Sequence, residues 1–386
     1  MRGEWGAVLA LGTAQTLAWG GSYYLPAMLA APIARDLGLS QATIFAVFSA
    51  ALVCAASIGP AAGRWIDRHG GRGLHVAAAL IFALGLLLLG MARGLAGLIL
   101  AWAVIGLGMG VGLYEAAFAT LARLFGTGAR RPITGITLMA GFASTLSWPL
   151  TAWLDGALGW RGACFVWAVL IPLVNVPLLL LLLPKPPPAP PSAASAGGGE
   201  PAAAPPPRSA LVLLAFIFAV SGFGAAAMGA HLPGLLAAAG ADAAAVVLAG
   251  ALVGPAQVAA RLLEFGLLQR LSPLRMAIGA HLLHPIGAGA LLLLGAPAAP
   301  FLALLHGAGN GLLTIARGSL PLLLFGPAGY GARLGWLAVP ARFSGAAAPF
   351  LFGLLLEAAG AAALCLTGGL YLAAAAGLAR LARQRP

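Results

Sequence analysis

The sequence predicts an all-α membrane protein with twelve transmembrane helices, arranged as two pseudo-symmetric six-helix bundles. Hydrophobic residues make up 61% of the 386 residues and charged residues only 8%, which is too little charge to cover a soluble domain. Apolar stretches of about 20 residues, the length that crosses a bilayer, recur along the chain. The unbroken leucine run Leu178–Leu183 excludes a membrane β-barrel, whose strands alternate apolar and polar residues.

Charges and helix breakers divide each half of the chain into six stretches. The first stretch is too long for a typical signal-peptide core and lacks a convincing cleavage site before Pro26, so we interpret it as a retained helix. The predicted helices lie near residues 6–26, 41–62, 75–92, 95–121, 132–153, 162–183, 210–231, 244–266, 276–294, 299–322, 334–355 and 360–379.

A Pro/Ala/Gly-rich segment, residues 184–208, separates the N-terminal bundle, residues 1–183, from the C-terminal bundle, residues 209–386. It can bury no core and is predicted to be a disordered cytoplasmic linker. The bundles repeat, because Gly106-x-Gly108-x-Gly110 matches Gly307-x-Gly309-x-Gly311 at an offset of 201. Six helices per half keep both repeats in one orientation, which predicts a cavity between the halves and alternating access.

The net charge of +12 is interpreted as a topology signal rather than a sign of nucleic-acid binding. With a cytoplasmic N-terminus, 15 of the 21 Lys/Arg residues lie on the cytoplasmic side, as the positive-inside rule requires. We therefore expect a multi-pass protein of a bacterial-type inner membrane with both termini in the cytoplasm. The 15 basic residues expected on the cytoplasmic side are Arg2, Arg64, Arg68, Arg72, Arg123, Arg130, Arg131, Lys185, Arg208, Arg270, Arg275, Arg333, Arg380, Arg383 and Arg385.

Enzyme chemistry is not indicated. Cys54, Cys164 and Cys365 all lie within predicted helices and are interpreted as small packing residues. The Gly-x-Gly runs lie within transmembrane helices rather than after a strand, so they do not indicate a dinucleotide site. The sequence predicts no metal, no cofactor and no enzymatic activity.

The segment that joins the second and third predicted helices carries a motif. It reads Gly63-Arg64-Trp65-Ile66-Asp67-Arg68-His69-Gly70-Gly71-Arg72 and resembles the signature loop G-x-x-x-D-R-x-G-R-R/K of the major facilitator superfamily. One position departs from the commonest form, because Gly71 replaces a basic residue. The twelve helices and the central linker fit the same resemblance, which covers the whole chain and implies the major facilitator fold.

The resemblance implies a gating role for Gly63, Asp67, Arg68, Gly71 and Arg72. Asp67 is expected to bind the positive N-terminus of helix 11 and so to latch the cytoplasmic side closed. The alternative is that the arginines of the motif only enforce topology and bind anionic lipid.

Helices 4 and 5 resemble the monocarboxylate-porter and oxalate/formate-antiporter branch of that superfamily, through Gly108-x-Gly110-x-Gly112-x-Tyr114 and Arg130-Arg131. Porters of this branch carry a substrate-binding arginine about as deep in helix 8 as Arg261. Its guanidinium can hold a carboxylate through two hydrogen bonds. Alternatively, Arg261 extends to the interface and pairs with Glu264.

Five Asp, Glu, Lys or Arg residues lie within predicted helices, where such a charge costs about 2.5–3.5 kcal/mol. They are Glu115, Arg261, Glu264, Arg317 and Arg342, and the resemblance places all five on cavity-lining helices. Arg317 and Arg342 are predicted to form an anion site or, alternatively, structural ion pairs. Glu115 and Glu264 are the proton-coupling candidates, and Glu115 is expected to face Arg317 across the cavity.

Polar side chains complete the predicted substrate site. Helix 1 lacks the charge that lactate-type porters use for proton coupling and offers Tyr23 and Tyr24 near Gln15 and Trp19. His231, His306 and Asn310 are further substrate candidates, with an interhelical hydrogen bond as the alternative for each of them. His281 and His284 are expected at the membrane interface.

These features predict a secondary active transporter that moves a small organic anion, a carboxylate, by alternating access in proton-coupled or exchange mode. The expected partners are the anionic substrate, protons or a counter-substrate, and the lipid bilayer, with the protein as a monomer. The first alternative is efflux of a drug-like or cationic compound by proton antiport. The second is a non-transporting membrane sensor, which would need an added soluble domain or an ordered, charged cytoplasmic segment.

Overall fold

The structure is a computed structural model that describes residues 2–185 and 208–383. Within these ranges the chain forms fourteen α-helices with short 3-10 turns and no strand, so the predicted all-α class is confirmed. Residues 186–207, which are most of the predicted linker, lie outside the described residues.

The first six membrane spans use eight of these helices. Span 1 consists of α1 and α2, span 4 of α5 and α6, and span 5 of α7 and the first part of α8. Gly159, with a φ of +71°, divides α8 into the end of span 5 and all of span 6. The helices are α1 (Arg2–Gly20), α2 (Leu25–Leu37), α3 (Gln41–His69), α4 (Arg72–Gly90), α5 (Leu95–Gly112), α6 (Tyr114–Phe125), α7 (Arg130–Ala140) and α8 (Ala143–Leu182).

The last six spans use one helix each. Eight helical segments of the described chain are long and apolar enough to cross a membrane, and two of them, of 88 and 54 residues, hold several spans. Spans 7 to 12 are α9 (Arg208–Ala238), α10 (Ala243–Gly266), α11 (Pro273–Leu294), α12 (Ala299–Phe325), α13 (Tyr330–Ala359) and α14 (Leu364–Arg383).

The chain forms two compact units. The first contains the described residues of Met1–Pro207 together with Phe325–Trp336, and the second contains Arg208–Leu324 and the described residues of Leu337–Pro386. The first seven residues of α13 therefore belong to the first unit. The bundle boundaries at residues 183 and 209 stay a prediction.

Glycines bring α3 and α5 into backbone contact in the first unit. A Cβ at Gly106 would lie 2.7 Å from the Ala51 carbonyl oxygen, and one at Gly110 would lie 2.9 Å from that of Ala55. Such distances exclude any side chain, so small residues set the approach of the two helices.

The second unit repeats this packing between α10 and α12. A Cβ at Gly307 would lie 2.5 Å from the Val253 carbonyl oxygen, and one at Gly311 would lie 2.6 Å from that of Gln257. The sequence repeat is therefore also a repeat of helix packing.

The motif segment is mostly helix rather than loop. α3 continues to His69, so Gly63 and Asp67 lie in its last turns, and only Gly70 and Gly71 connect it to α4. No residue before Gly70 breaks the helix, whereas Gly70 has a φ of +81°, which a residue without a Cβ adopts at little cost. The predicted end of this helix near residue 62 is therefore wrong.

Three spans of the first unit, predicted as single helices, are interrupted. Span 1 breaks between Gly20 and Leu25, and span 5 breaks at residues 141–142. Span 4 breaks at Leu113, which has an extended backbone with φ −83° and ψ −166°. In the second unit α9, α12 and the part of α13 that belongs to this unit have no such breaks.

Candidate functional site

The Asp67 carboxylate binds the N-terminus of α13. The backbone N–H groups of Gly331 and Ala332 donate to its Oδ1 and Oδ2, both at 2.9 Å. The first N–H groups of a helix have no partner within the helix and carry its positive dipole end, so a carboxylate is a favourable acceptor there. We call this contact the Asp67 clamp. Arg123 and Arg333 lie close enough to act on it electrostatically.

Glycines allow α3 and the start of α13 to meet at the clamp. A Cβ at Gly63 would lie 2.0 Å from the Gly331 carbonyl oxygen, and one at Gly335 would lie 2.7 Å from that of Gly59. The first motif glycine is thus required for the close approach that lets Asp67 reach the helix end.

The glycine that replaces a basic residue of the family motif also has a steric reason. A Cβ at Gly71 would lie 1.8 Å from the Thr120 Oγ1 atom. Thr120 is held there because its hydroxyl bonds the Ala116 carbonyl at 2.8 Å and His75 Nε2 at 3.1 Å. The space that a side chain at position 71 would need is therefore filled by Thr120.

The two motif arginines differ in their surroundings. The Arg72 guanidinium donates to the Leu180 carbonyl at the end of span 6. Arg68 is exposed on the last turn of α3. Arg72 thus stabilises packing within the first unit, while Arg68 has the position expected of a topology-setting charge.

Six aromatic side chains gather around the break in span 1. The Trp19 ring centroid lies 5.1 Å from those of Tyr23 and Tyr114 and 6.0 Å from that of Tyr24. Phe48 packs on Tyr23 and Trp148 on Tyr24, at 5.6 Å and 6.2 Å. Tyr23 and Trp148 are each 42% exposed. We call these six residues the aromatic cluster.

The aromatic cluster contains a buried hydrogen-bond donor, the indole N–H group of Trp19. Trp19 Nε1 is buried, and none of the described residues accepts its hydrogen bond. Buried indole N–H groups usually have an acceptor, so this donor is a candidate contact for a ligand oxygen. Sequence analysis identified Tyr23 and Tyr24 but not Tyr114 or Trp148, whose spans are far apart in the chain.

The break in span 4 places Glu115 at a helix N-terminus. Gln15 Nε2 donates to the Gly112 carbonyl at 2.7 Å and so satisfies a group that the break removes from the helix ladder. Glu115 lies in the first turn of α6, where a negative charge is favoured by the helix dipole. It is half-buried and within electrostatic range of Tyr330 on α13.

The second unit buries the two charged residues of α10. Arg261 is 5% exposed and Glu264 is 0% exposed, one helical turn apart. Arg261 Nη2 lies 3.5 Å from Gln257 Oε1, at the long limit of a hydrogen bond. Both alternatives for Arg261, substrate contact and pairing with Glu264, stay open.

The other predicted substrate residues of the second unit are divided among three helices. Arg317 lies on α12 within electrostatic range of His281 and Tyr371, and Asn310 is half-buried on the same helix. Arg342 is half-buried on α13. His231 Nε2 donates to the Pro349 carbonyl at 2.6 Å, an interhelical hydrogen bond from α9 to α13. The Glu115–Arg317 ion pair stays a prediction.

Buried histidines join four helices of the second unit. The Nδ1 atoms of His284 and His306 are 3.1 Å apart, and His284 Nε2 lies 3.0 Å from Thr367 Oγ1. His281 Nε2 lies 3.2 Å from Ser221 Oγ. The expectation that His281 and His284 lie at the membrane interface is wrong, because α11 begins at Pro273 and places them eight and eleven residues inside the helix, and both are only 1% exposed. Their i, i+3 spacing on one helix face was the available sequence signal.

Solved structures of transporters share the fold of nearly the whole chain. The human organic anion transporter MFSD10 (TETRAN) gives a TM-score of 0.69 at 16% identity, covering 97% of this chain and 99% of that one. The proton:xylose symporter XylE, bound to 6-bromo-6-deoxy-D-glucose, gives 0.69 at 13% identity over 98% and 95%. A variant of the E. coli fucose:proton symporter FucP gives 0.72 at 15% identity over 96% and 97%.

Curated relatives match a shorter part of the chain. Proteins named "Multidrug resistance protein B homolog" from two strains of Mycobacterium tuberculosis are each 35% identical over 147 residues. The alignment covers 37% of this chain and only 25% of the relatives, so the match spans a quarter of their length.

The family assignment rests on a longer match. The family model described as Major Facilitator Superfamily matches residues 11–305, which is more than half of the chain. The chain therefore belongs to the Major Facilitator Superfamily and is a multi-pass membrane transporter rather than an enzyme.

Proposed function

We propose that this transporter moves a small organic anion, bound through a carboxylate, by alternating access. The observation that carries the proposal is the set of three arginines within the spans of the second unit. Arg261 is 5% exposed, and Arg317 and Arg342 are half-buried. A guanidinium at membrane depth is costly, and it offers the planar fork that matches a carboxylate.

The resemblance of helices 4 and 5 to the monocarboxylate-porter and oxalate/formate-antiporter branch supports the same substrate class. In this proposal Arg261 is the primary carboxylate contact, and Arg317 and Arg342 supply further positive charge. Transport is driven by protons or by a counter-substrate, with Glu115 and Glu264 as the proton-carrying groups. The functional protein is a monomer.

The Asp67 clamp is the proposed gate. Each hydrogen bond from a backbone N–H to a carboxylate contributes about 1.5–3 kcal/mol, so two of them stabilise one conformation by a few kcal/mol. A stabilisation of this size can hold a conformation and still be reversed during a transport cycle. Gly63 permits the contact and Asp67 makes it, while neither residue needs to touch the substrate.

Uptake into proteoliposomes tests the anion proposal. Labelled carboxylates of different length are offered with and without a pH gradient to the wild type, Arg261→Ala, Arg261→Lys and Arg275→Ala. We expect saturable uptake that is lost in Arg261→Ala, is weakened in Arg261→Lys because the fork geometry is lost, and is kept in the exposed control Arg275→Ala. Saturable uptake of cations without any carboxylate would contradict the proposal.

The aromatic cluster favours a second candidate, efflux of a drug-like or cationic compound. The ring faces of the cluster suit an aromatic cation, which binds such faces favourably. The name of the curated relatives, multidrug resistance protein, points in the same direction. In the same liposomes, transport of a fluorescent aromatic cation that is lost in Trp19→Ala and kept in Arg261→Ala would favour this candidate.

We further propose that the protein lies in a bacterial-type inner membrane with both termini in the cytoplasm. The 15 Lys/Arg residues on one set of loops and termini support this orientation. Single cysteines placed at Arg64 and Arg93 in a cysteine-free background test it in whole cells. A membrane-impermeant thiol reagent should label the second position but not the first, and the reverse pattern would contradict the orientation.

A further inference from the structure

The His284–His306 pair is a buried polar group that the proposed carboxylate site and gate do not use. His284 and His306 are 1% and 4% exposed, and Thr367, which His284 contacts, is 0% exposed. His284 is eleven residues from the start of α11 and ten from its end, about 15 Å from either by helical rise. The pair thus lies near the middle of its span, where polar groups are usually functional.

The hydrogen bonds determine where the protons of the neutral pair are. The Thr367 hydroxyl lies 3.2 Å from the Leu364 carbonyl, to which it can only donate, so its oxygen accepts from His284 Nε2–H. His284 Nδ1 is then an acceptor, and His306 Nδ1–H donates to it across 3.1 Å. Because the ring proton of neutral His306 is on Nδ1, its Nε2 atom carries a lone pair.

A proton added at His306 Nε2 would be shared by both rings. His306 would become a cation that donates to His284 Nδ1, and the hydrogen bond between the two Nδ1 atoms would become charge-assisted and stronger. The Tyr371 ring centroid lies 4.6 Å from that of His284, close enough for its face to stabilise the positive charge. No rearrangement of heavy atoms is needed to accept the proton.

The groups around the pair come from several helices. α14 presents Tyr371, α12 presents Arg317 and α11 presents His281, while α9 contributes the neutral Ser221. Arg317 lies within electrostatic range of His281 and of Tyr371, and Tyr371 packs on His284. A proton on the pair would therefore add a second positive charge near Arg317, and two rings share that charge.

The repeat shows that the scaffold does not need a histidine here. His306 precedes the first glycine of Gly307-x-Gly309-x-Gly311, and the residue at the same place in the first unit is Ile105. Ile105 is 0% exposed in the core of the first unit, in contact with Gly85. An apolar side chain thus suffices for packing at this position of the fold.

We propose that His284 and His306 form a proton-binding site that takes up one proton at His306 Nε2 and shares it through the Nδ1–Nδ1 hydrogen bond. Its role in transport is to carry the coupling proton in the second unit in series with Glu264, so that losing the pair alone abolishes coupling, and this role rests on the proposed function. Two interacting imidazoles titrate as one coupled system, so the proton belongs to the pair and not to either residue.

Solid-state NMR of ¹⁵N-histidine-labelled protein in liposomes tests the site without any substrate. The chain has only six histidines, so the imidazole signals can be assigned with single variants. We expect a scalar coupling between the Nδ1 atoms of two rings, and joint shifts of both rings as the pH falls from about 9 to about 4. His306→Ile should remove the coupling, whereas His75→Gln should keep it, because His75 bonds a threonine in the first unit.

Transport by His306→Gln tests the coupling role. Glutamine retains an N–H donor for His284 Nδ1 but cannot take up a proton. We expect counterflow exchange to persist and the stimulation of net uptake by a pH gradient to fall to about onefold, whereas His281→Gln should retain the gradient dependence. His306→Ile, the counterpart of Ile105, provides a second variant if the glutamine variant does not fold.

The two experiments separate the possible failures. Rings that titrate independently, or that stay neutral over the whole range, would overturn the proton site whatever the substrate is. A shared proton together with undiminished gradient stimulation in both His306 variants would overturn the coupling role. Absence of any carboxylate transport in the wild type would refute the proposed function and leave the NMR result to decide the site.

Discussion

The same motif position has different surroundings in the two units. A Cβ at Gly63 would overlap the Gly331 backbone, whereas Gly266, its counterpart 203 positions later, has nothing within 4 Å of an added Cβ. Asp67 bonds the start of α13, and the residue at the same offset is the exposed Arg270. Both units have the glycine at this position, but only the first unit has the carboxylate that bonds the start of a helix.

The first spans of the two units differ in a related way. With Leu25-Pro26 aligned on Leu232-Pro233, the cluster residue Trp19 corresponds to Ala226. The first unit thus combines interrupted spans with aromatic rings, whereas the second combines continuous spans with buried histidines and arginines. The glycine packing of span 4 and span 10 is shared, whereas the aromatic rings and the buried polar side chains differ between the units.

Alanine at Gly63 should produce the largest effect. The added methyl group would lie 2.0 Å from a backbone oxygen, so α3 and α13 must separate, at a cost of about 1–3 kcal/mol or more. We expect transport by Gly63→Ala to fall by more than about a hundredfold in liposome uptake, because the backbone overlap also prevents Asp67 from reaching α13. Gly266→Ala is the matched control and should transport normally, and equal loss in both variants would show that the asymmetry of the two motifs is irrelevant.

Removing the Asp67 carboxylate should produce the second-largest loss of transport. Asp67→Ala loses both charge-assisted hydrogen bonds, and Asp67→Asn keeps an acceptor for only one N–H group and loses the charge. We expect uptake to fall roughly ten- to a hundredfold in Asp67→Ala and less in Asp67→Asn, since each 1.4 kcal/mol is a factor of ten.

Substrate binding provides the control for this prediction. Because the clamp does not contact substrate in our proposal, the affinity of detergent-solubilised protein for a labelled substrate should change by less than the transport rate. Arg270→Ala, the change at the counterpart position, should affect neither quantity. Equal losses of affinity and rate would argue that Asp67 belongs to the binding site.

Methionine at Gln15 should produce a smaller loss, of stability. Gln15 is 0% exposed, and its amide is the donor for the Gly112 carbonyl at the break in span 4. Leaving that carbonyl without its partner should cost about 1–3 kcal/mol in the free energy of unfolding, measured by denaturant titration in micelles. The neighbouring Thr16 donates to the Gly12 carbonyl of its own helix, so Thr16→Val should cost far less. A similar cost in both variants would show that the break in span 4 does not depend on Gln15 in particular.

Local sequence signals predicted the class, the spans and the motif, because each depends on residues close together in the chain. Hydropathy located every span, but it could not locate the breaks. The break at Leu113 follows a fourth glycine, Gly112, and depends on Gln15, which is 97 residues away in sequence. A hydropathy average over neighbouring residues carries no information about a contact between distant ones, so it predicts span 4 as one helix.

The candidate site shows the same limit. Asp67 could be placed on helix 11 because the family motif includes it. The place of Trp148 in the aromatic cluster and the pairing of His284 with His306 could not be predicted, because the partners lie on different spans and only the packing of helices brings them together. His284 was assigned to the interface from its position along the helix, yet the side chain faces the interior of its unit.

The smallest expected effect concerns the acid at the end of the first span. In the second unit Asp242 caps α10, accepting from Ala245 N–H at 2.8 Å, whereas in the first unit Asp36 pairs with Arg161. Arg161 also donates to the Ala92 carbonyl at 2.8 Å and lies 4.2 Å from the Trp160 ring centroid. The Asp36 pair therefore connects three segments of the first unit, whereas Asp242 acts locally.

The hydrogen bond from Arg161 lowers the pKa of Asp36 below its ordinary value. The stability from this pair is therefore present above the pKa of the unfolded chain, about 3.9, and is lost as the pH falls through the lower folded value. We expect the stability difference between wild type and Asp36→Asn to shrink as thermal unfolding is measured from about pH 6 to about pH 3, and Arg161→Gln should remove that pH dependence. The change should be small because both side chains are exposed to solvent, and a difference that stays constant over this range would mean that the pair does not hold the first unit together.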